Sequence, residues 1–274
     1  MAIEISPTLD NIFHLPSILK IVDIIESEPG LTQSSIIEKT QLGRGTVEDY
    51  RKWGIFSGLI TQDNTLTSFG KYRYEILYEC DEKLFSEIAH YFLIQNSSLY
   101  SIMILQGYHK YKINGHRNFE IEELIQWVSE ASPGEKAQYK HFKSTLLNQI
   151  NSLNDQNGIP LKLIRKSTDE KNKYNFQTYF PSKECIYFCI NYNAHRKYKS
   201  GKSSLFVNPS EILSNYNSLK NIYICPDNYI EGILSEFRSK GIITYEKAAD
   251  LNQIGIHTKF KDEEDIYKAL LEGI

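Results

Sequence analysis

Between Leu31 and Gly70 the chain reads LTQSSIIEKTQLGRGTVEDYRKWGIFSGLITQDNTLTSFG, two short helical patterns joined by glycines and followed by a hairpin pattern. Thr32 can cap a helix carrying Ile36 and Ile37 on one face. Gly43 and Gly45 are predicted to make the turn, because glycine accepts positive φ without steric cost, and Thr46 is predicted to cap the next helix. That helix is expected to run from about residue 47 to 56, with Val47, Tyr50, Trp53 and Phe56 recurring at three- and four-residue spacing toward a core. Gly58-Leu59-Ile60, the polar turn Gln62-Asp63-Asn64 and the return Leu66-Thr67 read as a small β-wing. Helix, turn, helix and wing in this order make a winged helix-turn-helix.

Such an element can read a duplex or dock a protein. Duplex reading needs residues at the start of the second helix to reach base edges while basic side chains hold phosphates. Arg44, Thr46, Arg51 and Lys52 point to solvent on this pattern and are the candidate DNA contacts. Glu48 and Asp49 share the helix and would repel phosphate, so protein docking stays open.

A chain of 274 residues fits two or three small units. Hydrophobic content of 41% and charged content of 24% exclude global disorder. A net charge of −3 excludes coating of nucleic acid by bulk charge, so DNA contact would have to come from local patches. No basic start with an apolar run and no long uninterrupted apolar stretch is found, so a cytoplasmic chain without a membrane partner is expected. Cys80, Cys185, Cys189 and Cys225 are too scattered for a disulfide framework, and CxxxC is not a zinc-knuckle spacing. Cys185 and Cys189 alternate with apolar residues in a predicted strand and read as buried thiols rather than metal ligands.

In chain order, residues 13–28 supply a first helix with Ile18, Leu19, Val22, Ile24 and Ile25 as its apolar stripe, ended by Pro29-Gly30. After the wing come a short helix and then LFSEIAHYFLIQ and SSLYSIMILQ, both apolar helices. A first unit is therefore placed at residues 1–107. YHKYKINGHRN interleaves basic side chains with tyrosines, a pattern suited to phosphates and stacking but also to a solvated linker. Asn118 is predicted to cap IEELIQWVSE, Ser132-Pro133-Gly134 to turn, and a long helix to follow with Tyr139, Phe142, Leu146, Ile150 and Leu153 inward and Lys136, Lys140 and Lys143 on other faces. IPLKLIRKSTDEKNKYNFQTYF then alternates as a hairpin bearing Lys162, Arg165, Lys166, Lys171 and Lys173. This makes a second winged-helix unit, residues 108–180, similar in pattern to those of plasmid replication initiators.

Residues 181–274 are expected to form a small α/β unit: a strand over CIYFCINY, the basic loop NAHRKYKSGKSS, a short strand over residues 221–224, a helix from about Tyr229, and a final helix with acids in its first turn. Gly201-Lys202-Ser203 resembles the end of a phosphate-binding loop, but Arg196 stands where that motif needs its first glycine. Arg196, Lys197, Lys199 and Lys202 remain candidate phosphate contacts. The whole reads as a predominantly helical α+β protein.

Leu42-Gly43-Arg44-Gly45, then Arg51, Trp53, Gly58-Leu59-Ile60, Leu66-Thr67-Ser68-Phe69-Gly70, Asp81 and His90-Tyr91-Phe92-Leu93 together resemble the domain of unknown function 4007 family. The resemblance covers about a third of the chain, the N-terminal part; Phe13-His14 and Leu19-Lys20 loosely echo the family's opening pattern, and its C-terminal Ser-Pro-Gly-x-x-Phe signature has no counterpart here. That family includes the SspB-like proteins encoded beside DNA-phosphorothioation genes. The resemblance implies a bacterial DNA-modification or antiviral defence setting, akin to restriction-modification, with single-strand nicking as a possible activity.

Three functions follow as expectations. One is binding of double-stranded DNA as a component of such a system, with other proteins of the complex as partners. A second is a nickase, for which Asp81, Glu82 and Glu87 are the nearest carboxylates and magnesium or manganese the cofactor. Their place at a helix start also suits capping and the macrodipole, and no metal site is assigned. The third is a protein-docking scaffold without DNA contact.

Overall fold

The computed structural model describes residues 11–131, 139–199, 206–248, 251–256, 260 and 262–273. It is an α+β protein dominated by helices. The chain divides into two compact units, residues 1–74 with 89–177 and residues 75–88 with 178–274.

In the first unit, α1 (Leu15–Ser27), α2 (Gln33–Thr40) and α3 (Arg44–Phe56) pack pairwise. α1 buries Leu15, Ile18, Ile21, Val22 and Ile25, the stripe its period demands. Phe13 meets Trp53 edge-on at 5.4 Å, and the indole N–H donates to the carbonyl of Asn11 at 3.1 Å. Thr32 caps α2, its Oγ1 accepting from Ser35 N. The turn differs from expectation: the left-handed residue is Gln41 (φ 57), whereas Gly43 is the N-cap of α3 at φ −60 and Thr46 lies inside that helix. A single antiparallel bridge, Ile60 with Leu66, closes the expected hairpin.

α4 (Ser68–Lys71) and α5 (Arg73–Glu75) lead into a π turn, Ile76–Cys80. Arg73 is buried, donating to Asp23 at 2.7 Å, Glu26 at 2.5 Å and the Gly70 carbonyl at 2.7 Å, so its charge is both paired and hydrogen-bonded. α6 (Glu82–Asn96) follows, then α7 (Ser98–Ile113). α7 takes in half of the stretch expected as a linker, because Tyr111 is buried against Phe119 and Phe176. The expected boundary at residue 107 thus falls inside a helix, where a Cβ on Gly107 would sit 2.9 Å from Leu124 and 3.0 Å from Phe176.

β1 (Phe119–Glu120), α8 (Ile121–Ala131), α9 (Tyr139–Ser152), β2 (Ile164–Lys166) and β3 (Lys173–Phe176) complete this unit. The sheet order is β1-β3-β2, antiparallel throughout, with Ile164 opposite Phe176, Arg165 opposite Asn175 and Lys166 opposite Tyr174. Asn118 does not cap α8. Its side chain ties the strands together, donating to Ser167 Oγ and Glu170 Oε1 and accepting from Asn175.

The second unit departs further from the sequence reading. CIYFCINY is helical, within α10 (Lys183–Lys199), and residues 221–224 end a short helix, α12 (Leu219–Ile222), that follows α11 (Pro209–Leu213). α10 is buried at every position from Cys185 to Tyr192, so it has no polar stripe to betray its period. The strands lie elsewhere: β4 (Phe206–Val207), β5 (Ile243–Ala248) and β6 (Leu251–Ile256), in the order β4-β6-β5. α13 (Asp227–Ser239) and α14 (Glu263–Glu272) agree with expectation, and Asp262 and Asp265 form a capping box on α14.

Candidate nucleic-acid interface

The hairpin of β2 and β3 pairs Lys173 with Glu170 and presents its other cations without side-chain partners among the described residues. Lys162, Arg165, Lys166 and Lys171 are all exposed, and none of their side chains enters an ion pair or hydrogen bond among the described residues. The two-residue period places Ile164 and Phe176 on the core side and Arg165 with Asn175 on the outer side. The tip is built by Ser167, whose Oγ accepts from the N–H groups of Asp169 and Glu170 at 3.2 Å, and by Asn172 at φ 64. Glu170 is neutralised by Lys173, which holds its carboxyl below the usual carboxylate range. Asp169 stays exposed, so the hairpin keeps an excess of positive charge.

The start of α3 offers a second place for an anion. Gly43 provides no side-chain cap, which leaves the first N–H groups of the helix without that partner, and Arg44 is exposed beside them, with no ion pair among the described residues. Thr46 is half-buried. The other candidates on α3 are engaged internally. Arg51 donates from Nε to Asn64 Oδ1 at 2.5 Å and from Nη2 to the Gln62 carbonyl at 2.6 Å, and Lys52 pairs with Glu48 at 2.9 Å. Asp49, expected to face phosphate, is buried and accepts from Asn11 N at 3.0 Å and Nδ2 at 2.9 Å. Its charge serves the fold.

Lys143 pairs with Glu122. Lys140, Lys197 and Lys199 lie in α9 and α10, while their side chains, like Lys202 altogether, fall outside the described residues. Arg196 is exposed, with its guanidinium 5.8 Å from the Tyr192 ring centre.

The three carboxylates suggested for metal chemistry have different surroundings. Asp81 and Glu82 are exposed, Asp81 accepting from Lys83 N at 3.0 Å. Glu87 is fully buried and accepts from Tyr179 Oη at 2.8 Å, from Ser182 N at 3.0 Å and from Ser182 Oγ. Burial raises its carboxyl above the ordinary value, partly offset by those bonds. Among the described residues no group of three or more His, Cys, Asp or Glu side chains is placed to hold a metal ion. Among the described residues no helix is long and apolar enough to cross a membrane.

The fold and its basic hairpin define a helical α+β protein with a candidate anion-binding surface on its first unit. Two solved structures share the fold. A magnesium ion-bound SspB crystal structure superposes with a TM-score of 0.68 at 12% identity, covering 96% of this chain and 85% of that one. A second SspB crystal structure gives a TM-score of 0.66, again at 12% identity, over 96% of this chain and 89% of that one. No family model and no curated protein matches.

Proposed function

We propose that the chain is a double-stranded DNA-binding winged-helix protein of a bacterial phosphorothioation or related defence system, acting with other proteins of that system. The observation that carries the reading is the contrast in cation use. Lys39, Lys52, Lys110, Lys143 and Lys173 are each matched to a carboxylate, while among the described residues Lys162, Arg165, Lys166 and Lys171 on one hairpin are not. A fold needs no such cluster for itself, and phosphates are its natural partner. The uncapped start of α3 with Arg44 supplies a second phosphate contact. The shared SspB fold supports the setting.

The test is fluorescence anisotropy on a duplex of roughly 30 base pairs across a salt series, for the wild type and Arg165→Ala/Lys166→Ala. Each lost phosphate contact should flatten the slope of log affinity against log salt by about 0.9, so the double variant should lose close to 2. An unchanged slope removes the hairpin from the interface. Partner co-purification without any duplex affinity at low salt would replace this reading by a protein scaffold.

A further inference from the structure

A pocket of about 500 Å³, within the roughly 300–1,000 Å³ typical of small-molecule sites, opens beside the basic hairpin and is lined in part by His116, Arg117, Phe119, Glu123, Trp127 and Lys173. We propose that it receives a single nucleotide, with a purine base in the pocket and its phosphate on Arg117. This rests on the duplex-binding reading for the source of the nucleotide, though not for the pocket's chemistry.

The backbone sets the rim. Gly115 and His116 are successive residues of positive φ, 73 and 59, at the end of α7, and histidine is among the non-glycine residues that take this region more readily. The turn places both His116 and Arg117 on the pocket. The His116 ring is exposed and touches Tyr111 edge-on at 5.1 Å, which leaves it a face on which a base can stack.

The polar groups are unspent in a pattern that suits a nucleotide. Among the described residues Arg117 uses only Nε, donating to the Asn114 carbonyl at 3.2 Å, so both terminal amino groups remain for a phosphate. Glu123 accepts from Glu120 N at 2.8 Å through Oε2, and Oε1 carries no hydrogen bond among the described residues. Trp127 stands 5.3 Å from Phe119, and its indole N–H makes no hydrogen bond among the described residues. Two carboxylates stand on the wall, Glu170, which is paired with Lys173, and Glu123, and the latter, unpaired among the described residues, argues against inorganic phosphate alone. It accepts instead from adjacent ring and exocyclic N–H groups, which guanine offers, while the indole donates to a ring acceptor. Lys173, paired with Glu170, keeps the pocket joined to the hairpin.

Two arms test this on the intact protein. Trp53 is fully buried, so of the two tryptophans Trp127 is the reporter. Titration with deoxyguanosine monophosphate should quench its emission, with at least about fivefold weaker binding in Arg117→Ala. In the second arm, anisotropy compares an intact duplex with one carrying a single bulged guanosine. The wild type should prefer the bulge by about tenfold, Arg117→Ala should lose that preference, and intact-duplex affinity should change less than about twofold. Trp127→Phe should abolish the quenching and, having lost the indole donor, weaken the bulge preference. Monophosphate binding without bulge preference assigns the pocket to a soluble nucleotide. Monophosphate binding without any duplex affinity keeps the pocket and sinks the duplex reading. Neither quenching nor bulge preference overturns the proposal.

Discussion

Arg51 Nε donates to Asn64 Oδ1 at 2.5 Å, so a cation of α3 is spent on holding the hairpin behind it. Asn64 in turn sits at φ 54 and donates from Nδ2 to the Leu31 carbonyl at 2.6 Å, linking helix, hairpin and the approach to α2. Arg51→Ala should therefore act on stability before it acts on DNA. Charge-assisted hydrogen bonds of partly exposed groups contribute about 1–2 kcal/mol. Urea unfolding should show a loss of that size for Arg51→Ala and for Asn64→Ala, with the double variant losing less than the sum. The salt slope of duplex binding should match the wild type in Arg51→Ala; a slope flattened by about 1 would put Arg51 on a phosphate instead.

Gly70 is fixed by a close approach. A Cβ there would lie 2.0 Å from the Leu59 carbonyl oxygen, which is backbone and cannot rotate away. Thr67 anchors the same corner, with Oγ1 bonded to the Gly58 carbonyl and accepting from Gly70 N at 3.0 Å. Gly70→Ala should cost about 3 kcal/mol or more, because relief needs backbone movement. The urea midpoint should fall with the m-value unchanged; a midpoint within error of the wild type would mean that the corner opens at no cost.

These local devices were unevenly legible in the sequence. Thr32 announces its cap, α1 its stripe, and the alternation from Ile164 to Phe176 its hairpin, because each follows one period or one side-chain chemistry. CIYFCINY misleads because β-branched and aromatic residues in a short apolar run mimic a buried strand when both faces of a helix are covered. Gly43 and Gly45 draw attention from Gln41, the residue that takes the left-handed turn. Burial of Asp49 depends on Asn11, 38 positions away, and no local pattern reports such a bond. The exposed cations on the hairpin were readable as charges, but which cations already have partners was not. The pocket at His116 needed the fold, since Trp127 and Lys173 come from distant elements.

Glu87 gives the second unit a pH dependence of definite sign. Its folded carboxyl is raised above the unfolded value of 4.5 by burial. Between 4.5 and that raised value the native state holds more protons than the unfolded chain, so Glu87 lowers stability as pH rises through the window. Glu87→Gln cannot titrate and should lack that decline. Thermal melts across the acidic range should show the wild type losing ground to Glu87→Gln as pH increases, whatever the offset between them at one pH. Parallel curves would mean that Tyr179 and Ser182 compensate burial completely.

The four cysteines offer a measure of how tightly the second unit is closed. Cys185 and Cys189 lie one turn apart on α10 and both face the Tyr223 hydroxyl, at 3.0 and 3.8 Å, while that hydroxyl donates to the Glu87 carbonyl at 2.9 Å. Burial pushes the Cys185 thiol well above its ordinary range and disfavours the reactive thiolate. Cys225 is buried, and only Cys80 is half-exposed, its thiol raised by burial and by the nearby Glu79, Glu184 and Asp81. A thiol reagent should therefore titrate at most one cysteine per native chain, slowly, and all four in denaturant. Tyr223→Phe removes the hydroxyl from the buried group and should raise the opening rate of α10, read as faster labelling of Cys185 and Cys189 under native conditions. Labelling of both in the wild type at the rate of Cys80 would show that α10 opens as readily as the surface, and the Tyr223 hydroxyl would then have no role in holding it.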